Sequence, residues 1–266
     1  MTIPIAIDTG GVKTTLNYWD RHEAPPEVLD FTKPGTESKF EEYQKTIETL
    51  PITIHNVRGK EDQYTLEKNG FQYVKDDIPA LEGCETEDDV REVLLPATEE
   101  LVNALAEDPS KRADNRAPAH SVHTDFTRAG ALNQFKTVIR DPSELASLQK
   151  SRILAINVWR PLKTIKKDPL AILNWASVNA EQDIVPNRMI MNEHFWAELG
   201  KVKYADGHEW VYMEGQTPSE PLVFKQFDSK AEGSMTVPHS AFVDQRWVDE
   251  AARESIEIKM FAFVEE

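Results

Sequence analysis

The chain has 266 residues, and its 46 Asp and Glu against 30 Lys and Arg give a formal net charge of −16 at pH 7. Phosphate backbones and anionic membranes attract clustered Lys and Arg. No basic run here is longer than Lys166-Lys167, so neither is an expected partner. No stretch of about 18 apolar residues occurs, which excludes a membrane-spanning helix. Cys84 is the only cysteine, so no intrachain disulfide can form.

The remaining composition is that of an ordinary globular protein, with 40% hydrophobic and 29% charged residues. A β-rich unit of this length is commonly one domain, and no internal repeat divides the chain. We therefore expect a single domain over residues 1–266. The lone cysteine and the lack of a signal-peptide layout at the N-terminus favour the cytosol. The acidic surface is compatible with a monomer and with an oligomer.

The first part of the chain predicts strands interleaved with two helices. Residues 3–19 alternate loosely and predict a strand, and residues 39–50 predict a short helix that ends before a proline. Alternation and turn signals over residues 52–74 predict hairpins. Thr86 caps a second predicted helix, which Pro96 must kink or restart.

From residue 122 onward the pattern is dominated by short strands. One short helix is predicted at residues 142–149. The predicted strands are residues 122–126, 152–159, 184–191, 209–213, 221–227, 235–237 and 255–264. A few early helices followed by many short strands favour a mainly β fold with flanking helices, built as a double-sheet jelly roll.

The first candidate site is His123-Thr124-Asp125, in a predicted strand. Residues at i and i+2 of a strand point to the same face, so His123 and Asp125 can offer an imidazole and a carboxylate to one metal ion. Alone this pair is a weak signal, because a hydrogen-bonded His at the end of a strand gives the same pattern. His120 competes for the His position, but the residue two places after it is Val122, which is not a ligand.

A distant His would complete this pair. His239 lies in the segment PHSAF of residues 238–242 and would add a second imidazole. Two His and one carboxylate form the facial triad of non-haem Fe(II) oxygenases, which leaves three positions of the iron open. His208, beside Glu209, is the alternative for this position, and a lone His near an apolar run is also commonly structural.

Arg253-Glu254-Ser255 opens the last predicted strand, fourteen residues after His239. Arg253 and Ser255 share one face of that strand. A guanidinium and a hydroxyl together suit a buried carboxylate, because Arg gives two parallel charge-assisted hydrogen bonds. The alternative is a surface Arg that pairs with Glu250 or Glu254.

The order of these pieces resembles the Fe(II)/2-oxoglutarate-dependent oxygenase superfamily: H-x-D on a strand, a distant His, and then R-x-S. The resemblance implies a double-stranded β-helix jelly roll that uses Fe(II), 2-oxoglutarate and O2. It implies that His123, Asp125 and His239 are the iron ligands of the catalytic centre. It also implies that Arg253 pairs with the distal carboxylate of 2-oxoglutarate and that Ser255 assists.

Longer segments are similar to one branch of this superfamily. It comprises the fungal hydroxylase/desaturases, which resemble the gibberellin desaturase, the novofumigatonin endoperoxidase and the cephalosporin 7α-methoxylase-related proteins. The segments are NVRG at 56–59, NGF at 69–71, VHTD at 122–125, NVWRPL at 157–162, PHSAF at 238–242 and RESIE at 253–257. The resemblance implies oxidative tailoring of a small molecule in secondary metabolism. Lys259 stands where this branch leads us to expect Arg.

The segment 157–162 adds Asn157 and Arg160 to the predicted cofactor-binding residues. Asn157 and Trp159 share one face of their strand, and Val158 and Arg160 share the other, so alternation brings either Asn157 or Arg160 to the pocket. A buried Arg must be paired. Arg160 is therefore either a carboxylate binder or part of a structural ion pair.

The substrate is expected to lie above the iron, near the N-terminal strands, the helix after Thr86 and residues 165–188. Four aromatic residues are candidates for its apolar walls, or else for the core: Trp159, Trp175, Phe195 and Trp196. Tyr212 and Lys225 are further candidates for the pocket, or else plain sheet positions.

The sequence thus predicts a non-haem Fe(II)/2-oxoglutarate-dependent dioxygenase that hydroxylates, desaturates or otherwise oxidises a C–H bond of a small molecule. Two alternatives remain. One is a jelly-roll binding protein without catalytic activity. The other is an iron oxidase that does not use 2-oxoglutarate. In such an enzyme a buried Arg253 would have no cosubstrate carboxylate to bind.

Overall fold

The computed structural model describes residues 10–84, 86–103 and 118–264, so the predicted strand segment before residue 10 lies outside this part. The strands are β1 Val12–Trp19, β2 Leu29–Asp30, β3 Ile47–Asn56, β4 Phe71–Tyr73, β5 His123–Thr124, β6 Arg152–Pro161, β7 Leu170–Leu173, β8 Ile184–Asn192, β9 Phe195–Val202, β10 Trp210–Tyr212, β11 Leu222–Asp228, β12 His239–Ala241 and β13 Ser255–Val264. The helices are α1 Thr36–Lys45, α2 Leu66–Asn69, α3 Glu87–Asn103, α4 Arg128–Val138, α5 Pro142–Leu148 and α6 Ala180–Asp183. None of the helices within these ranges combines the length and apolarity needed to cross a membrane.

The strands form two sheets. The larger sheet has nine strands in the order β1-β3-β10-β7-β12-β5-β9-β8-β2, and the smaller has four in the order β13-β6-β11-β4. Most neighbouring pairs, including all those of the smaller sheet, are antiparallel. Two sheets around a shared interior form a double-stranded β-helix, or jelly roll, which confirms the predicted mainly β fold with flanking helices.

The smaller sheet separates the interior of the jelly roll from a helix. Asn157 of β6 lies between Phe224 of β11 and Lys259 of β13. Successive side chains of a strand point to opposite faces, so these three face the interior and their sequence neighbours face outward. On the outward face, Val158 belongs to an apolar cluster with Leu94 of α3. Both faces of β6 are therefore covered.

Helix α4 closes one end of the interior. Its Phe135 packs against Phe261 and Phe263 of β13, with ring centroids 5.7 Å apart in both pairs. We call these three aromatic residues the floor. Gly130 of the same helix lies so close to β9 that a Cβ added there would be 2.1 Å from the backbone oxygen of Glu198. The helix therefore lies directly on the sheet, which leaves no space for solvent at this contact.

Several predicted elements are confirmed. The last predicted strand, residues 255–264, is β13. The helix predicted at residues 142–149 is α5, and the side chain of Asp141 caps it by accepting from two backbone amides of its first turn. The Thr86 hydroxyl accepts from a backbone amide at the start of α3, which confirms the predicted cap. Helix α3 runs through Pro96 as one helix, so the helix does not restart there.

Three predictions are wrong. The hairpins predicted over residues 52–74 are not formed, because β3 pairs with β1 and β10 whereas β4 pairs with β11. The helix predicted over residues 39–50 ends at Lys45, and β3 then runs through Pro51. Among the described strands, only β1 pairs with β3 at Pro51, because β10 pairs with β3 only at His55 and Asn56. The amide proton that proline lacks therefore interrupts no second ladder of these strands.

The strand predicted over residues 235–237 is not formed either. Ser234 and Met235 adopt positive φ angles of 64° and 35°, in the left-handed range that interrupts an extended chain. The sequence pattern also did not predict α4, β7 and β9, which the structure contains.

Candidate active site

The candidate centre lies where β5 meets β12 in the nine-stranded sheet. His239 of β12 pairs directly with His123 of β5. Residues that face each other across an antiparallel ladder have side chains on the same face about 5 Å apart, so the sheet itself brings the two imidazoles together. Asp125 follows β5 immediately and shares the face of His123.

The three side chains converge. The ring centroids of His123 and His239 are 4.4 Å apart. The Nε2 atom of His239 is 3.5 Å from Oδ2 of Asp125, and Nε2 of His123 is 4.0 Å from Oδ1 of Asp125. One ligand atom from each residue lies within 4.8 Å of the other two. Two imidazoles and a carboxylate at this spacing can hold a divalent metal ion.

Local hydrogen bonds orient both imidazoles. Nδ1 of His123 is 2.8 Å from the carbonyl oxygen of Ser121, and Nδ1 of His239 is 3.1 Å from that of Val237. A carbonyl oxygen can only accept, so Nδ1 of each ring is the donor, and Nε2 is the nitrogen through which each ring could bind a metal ion. Ligating histidines in metal sites commonly donate their second nitrogen in this way.

The charge states of the cluster also suit a metal. Burial lowers the pKa of His123 to about 4, an effect that His239 reinforces and Asp125 opposes. This imidazole is therefore neutral at pH 7, the form that binds metals. Burial alone would raise the pKa of Asp125, but Lys259 and the two imidazoles outweigh burial and hold this pKa below its usual range. The carboxylate is thus ionised.

Two polar side chains support Asp125. Gln226 of β11 donates from Nε2 to Oδ2 of Asp125, and Lys259 donates from Nζ to Oδ1 at 3.0 Å. Oε1 of Gln226 is buried and has no hydrogen-bond partner among the described residues. Sequence reasoning missed Gln226, because a bulge in β11 at this point disturbs the alternation from which a facing residue is identified.

The cluster lies in a cavity of about 1100 Å³. Its apolar lining includes Ile78, Leu81, Val90, Trp159, Leu162 and Phe224. Helix α3 therefore contributes to the wall, as does Trp159. The other aromatic candidates lie elsewhere: Trp175 is in the core, and Phe195 and Trp196 belong to β9.

Alternating residues at the start of β13 form one wall of this cavity. Ser255, Glu257 and Lys259 all line it, as does Arg253 just before the strand. Nζ of Lys259 is also 3.3 Å from a carboxylate oxygen of Glu257. Burial lowers the pKa of Lys259, but the Asp125 and Glu257 carboxylates outweigh burial and raise it above its usual value. The ammonium is therefore charged at neutral pH.

Arg253 is held by backbone and by an aromatic ring. Its Nη1 donates to the carbonyl oxygen of Asp168 at 2.5 Å, and its guanidinium carbon is 5.2 Å from the centroid of the Trp159 ring. Burial lowers its pKa to about 10, and Asp168 and Glu257 oppose that shift. The surface alternative is not what the structure shows, because the two glutamates considered as partners pair with lysines instead.

Arg160 lies on the outward face of β6, away from the cavity. Its side chain is 1% exposed and forms an ion pair with the carboxylate of Asp76. It also donates to the carbonyl oxygens of Asp76 and Pro218, at 2.9 and 2.8 Å. Strand alternation turns the guanidinium outward, where these contacts engage Nη1 and Nη2. This arrangement favours the structural ion pair over the predicted cofactor-binding role of Arg160.

Asn157 has the interior-facing position of the pair but does not itself line the cavity. It is fully buried, and its Nδ2 donates to Glu257 at 3.1 Å. Its Oδ1 is buried, and no residue within the described ranges forms a hydrogen bond with it. Asn157 therefore supports the wall formed by β13 and does not offer a group to the cavity.

The remaining candidates lie outside the cluster. Nε2 of His120 is 3.6 Å from Oδ1 of Asp168. The buried His208 pairs with Asp183 at 3.1 Å. Lys225 pairs with Asp228 and Glu67 on the outward face of β11, and Tyr212 is in the core.

Comparison with known proteins identifies relatives over nearly the full chain. The family model described as "YDMC: Oxidoreductase/YMDC permease-like domain" matches residues 16–263. The chain is 30% identical over 301 residues to the hydroxylase/desaturase efuI of Hormonema carpetanum, with 98% of each protein covered. It is 26% identical over 270 residues to the alpha-ketoglutarate-dependent dioxygenase tstK of Talaromyces stipitatus, covering 90% of this chain and 96% of tstK.

A solved structure shares the fold. The iron and alpha-ketoglutarate-dependent endoperoxidase NvfI superposes with a TM-score of 0.77 at 20% identity, covering 98% of this chain and 100% of NvfI. This likeness confirms the jelly roll.

Proposed function

The chain belongs to the oxidoreductase family that contains the fungal hydroxylase/desaturases, and on that premise we propose that it is an Fe(II)/2-oxoglutarate-dependent dioxygenase acting on a small molecule. The observation that carries the proposal is the convergence of His123, Asp125 and His239. The relatives' names support the same cofactor and cosubstrate.

The donor set fits ferrous iron. Two imidazoles and one carboxylate would occupy three coordination positions of the iron and leave the others to cosubstrate and dioxygen. Structural zinc sites, in contrast, are usually closed by four protein ligands. His123 and His239 would bind through Nε2, since Nδ1 of each ring donates to a carbonyl. Gln226 would hold the second oxygen of Asp125 and so fix the orientation of that ligand.

Iron bound here, with 2-oxoglutarate and O2, would supply the oxidising power that removes hydrogen from an unactivated C–H bond. The chain's own contribution is to position the substrate and exclude water. The cavity has apolar walls from α3, residues 78–81 and Trp159. Its acidic and basic lining residues balance, with four of each among the residues described. This lining supports a small substrate with a largely apolar body, as expected for secondary metabolism.

The proposal is tested by an anaerobic titration. Fe(II) and then 2-oxoglutarate are added to the apo-protein, and the visible charge-transfer band of the metal chelate is recorded. We expect the band in the wild-type protein and its loss in His239→Ala, because one imidazole ligand is removed. His194→Ala is the matched control, since His194 is exposed in the turn between β8 and β9 and lies outside the cluster. It should keep the band.

The possible negative results separate the alternatives. A wild-type protein that binds iron but gives no band with 2-oxoglutarate would be an iron oxidase that does not use this cosubstrate. A protein that binds neither would be a jelly-roll binding protein. Retention of the full band in His239→Ala would refute the proposed ligand set.

A further inference from the structure

We propose that the substrate is an elongated molecule whose apolar body lies outside the interior of the jelly roll, between α3 and the smaller sheet, while its reacting carbon lies at the proposed iron ligands. This inference rests on the proposed function. The observation that supports it is the shape of the cavity, which extends around the start of β13 and reaches both faces of the smaller sheet.

Strand alternation shows that the cavity reaches both faces of β13. Ile256 pairs across the sheet with Arg160, whose side chain points outward. Ser255 and Glu257, the neighbours of Ile256 in sequence, therefore point into the interior. All three line the same cavity. Since β13 is an edge strand of the described four-stranded sheet, the cavity can pass around it without crossing the sheet.

The apolar lining of the cavity belongs to two separate packing clusters. Trp159, Leu170 and Phe224 belong to the cluster inside the jelly roll, and we call the part of the cavity that they line the inner lobe. The other cluster packs between α3 and the outward face of the smaller sheet. The part of the cavity that this cluster lines is called the outer lobe, and its apolar residues are Ile78, Leu81, Val90, Leu162 and Ile256.

The outer lobe suits an apolar ligand segment. Its five apolar side chains are all partly exposed. A ligand that covers them removes apolar surface from water, which contributes a factor of about four in affinity for each buried methylene group. The outer lobe therefore favours a hydrocarbon-rich segment over a charged one.

Continuity with the inner lobe identifies this ligand as the substrate. Both lobes belong to one cavity of about 1100 Å³, which also contains His123, Asp125 and His239. The floor limits the inner lobe at one end. The inner lobe must also hold 2-oxoglutarate beside the reacting carbon. The remainder of the substrate therefore needs space elsewhere, and the outer lobe supplies it.

The separation of the lobes sets a minimum length for the substrate. The ring of Phe224 is 4.9 Å from that of His239, and Phe224 pairs across the sheet with Asn157, which in turn pairs with Lys259. The proposed iron ligands thus lie near the level of Lys259. Three residues of β13 separate Lys259 from Ile256, a distance of roughly 10 Å. A molecule that occupies both lobes must span at least this distance.

The test uses the neutral apolar fluorophore N-phenyl-1-naphthylamine as a probe for the outer lobe. The anaerobic complex of the protein with Fe(II) and 2-oxoglutarate is titrated with the probe, and the dissociation constant is obtained from the rise in probe fluorescence. The charge-transfer band of the same sample reports whether 2-oxoglutarate stays bound. We expect the wild-type protein to bind the probe and keep the band, because the two lobes are separate.

We expect Val90→Gln and Leu81→Gln each to weaken probe binding by about 5- to 30-fold, because an apolar contact becomes polar. The two residues lie on different segments, so a local disturbance of α3 alone cannot produce both results. Both variants should bind 2-oxoglutarate as tightly as wild type. Val93→Gln is the matched control, since Val93 is a partly buried valine of the same helix but is not among the described residues that line the cavity. It should bind the probe within about twofold of wild type.

Several results would overturn the proposal. Absence of probe binding to wild type, or unchanged affinity in both Val90→Gln and Leu81→Gln, would exclude the outer lobe as the binding site. Loss of the charge-transfer band on addition of the probe would place the probe in the inner lobe. A wild-type dimer in light scattering that becomes a monomer in Val90→Gln would assign the outer lobe to a second copy of this chain. Failure of the proposed function is distinguishable, because the wild-type protein would then give no band with 2-oxoglutarate even before the probe is added.

Discussion

A buried cluster of ion pairs lies on the outward face of β11, a strand that also contributes to the cavity wall. Substitutions in this cluster test how much it stabilises the protein. Asp228 is completely buried and pairs with Arg152 and with Lys225, the latter at 2.8 Å. Burial raises its pKa, but the two cations outweigh burial and lower it from 3.8 to about 2. At 1.36 kcal/mol for each pKa unit, the pairing contributes about 2.5 kcal/mol to stability at neutral pH.

The pH dependence has a definite sign. A pKa that is lower in the folded state stabilises the protein above the unfolded pKa, and the stabilisation is lost as the pH falls through the folded pKa. For Asp228 the window is therefore pH 4 to 2, and about 1.3 kcal/mol of the 2.5 remains at pH 3. Asp228→Asn keeps the shape of the side chain but removes its charge, and it leaves Lys225, only 1% exposed, short of a buried partner.

We expect Asp228→Asn to lower the free energy of unfolding by about 3 kcal/mol at pH 7, measured by urea denaturation. The difference from wild type should narrow by about 1 kcal/mol at pH 3. Glu67→Gln is the control, since Glu67 contacts the same two cations but is 68% exposed and should cost less than about 1 kcal/mol. This reasoning would be refuted if the free energies of unfolding of wild type and Asp228→Asn differed by less than about 0.5 kcal/mol at pH 7. A difference between them that does not change with pH would refute it as well.

Three further substitutions test other parts of the structure. Gly130→Ala places a methyl group against the Glu198 carbonyl and should destabilise the protein by about 1–3 kcal/mol in thermal or urea unfolding; an unchanged midpoint would contradict the close packing of α4. Arg160→Met should destabilise the protein by about 3 kcal/mol and leave the affinity for 2-oxoglutarate unchanged. A selective loss of that affinity would show that Arg160 has the cofactor-binding role predicted from the sequence. Gln226→Leu should weaken Fe(II) binding about 10- to 100-fold, because the orientation of Asp125 loosens; equal affinity measured by anaerobic titration would remove Gln226 from the site.

The convergence of the proposed metal ligands could be predicted from the sequence because their motif is carried by strand geometry. H-x-D needs only the two-residue alternation of an extended chain, and the pairing of β5 with β12 follows from the fold that the motif order implies. The same alternation did not show which of Asn157 and Arg160 faces the cavity. Both faces of β6 are buried, one by the interior and the other by α3, so polarity along the strand does not indicate which face is the inner one.

The elements that the pattern missed depend on contacts distant in sequence. Gly130 and the polar Asn133 weaken the helical signal of α4. The Thr127 hydroxyl caps this helix, and the Asn133 side chain donates to the carbonyl oxygen of Trp196 in β9. In the same way, Pro51 of β3 is tolerated because no strand in the described part of the chain pairs with the other edge of β3 at that point. Neither the contact of α4 with β9 nor the pairing of β3 at its proline can be identified from the local sequence.

The backbone support of the two imidazoles that are proposed to bind iron has a consequence for how substitutions can change such a protein. Each ring takes its orientation from the carbonyl group two residues before it, and the two strands that carry the rings pair with each other. The apolar walls come from separate segments, chiefly α3 and residues 78–81. Substitutions in those segments can remodel the space offered to a substrate while the ligands keep their positions. The architecture thereby separates the evolution of substrate choice from the maintenance of the proposed iron site.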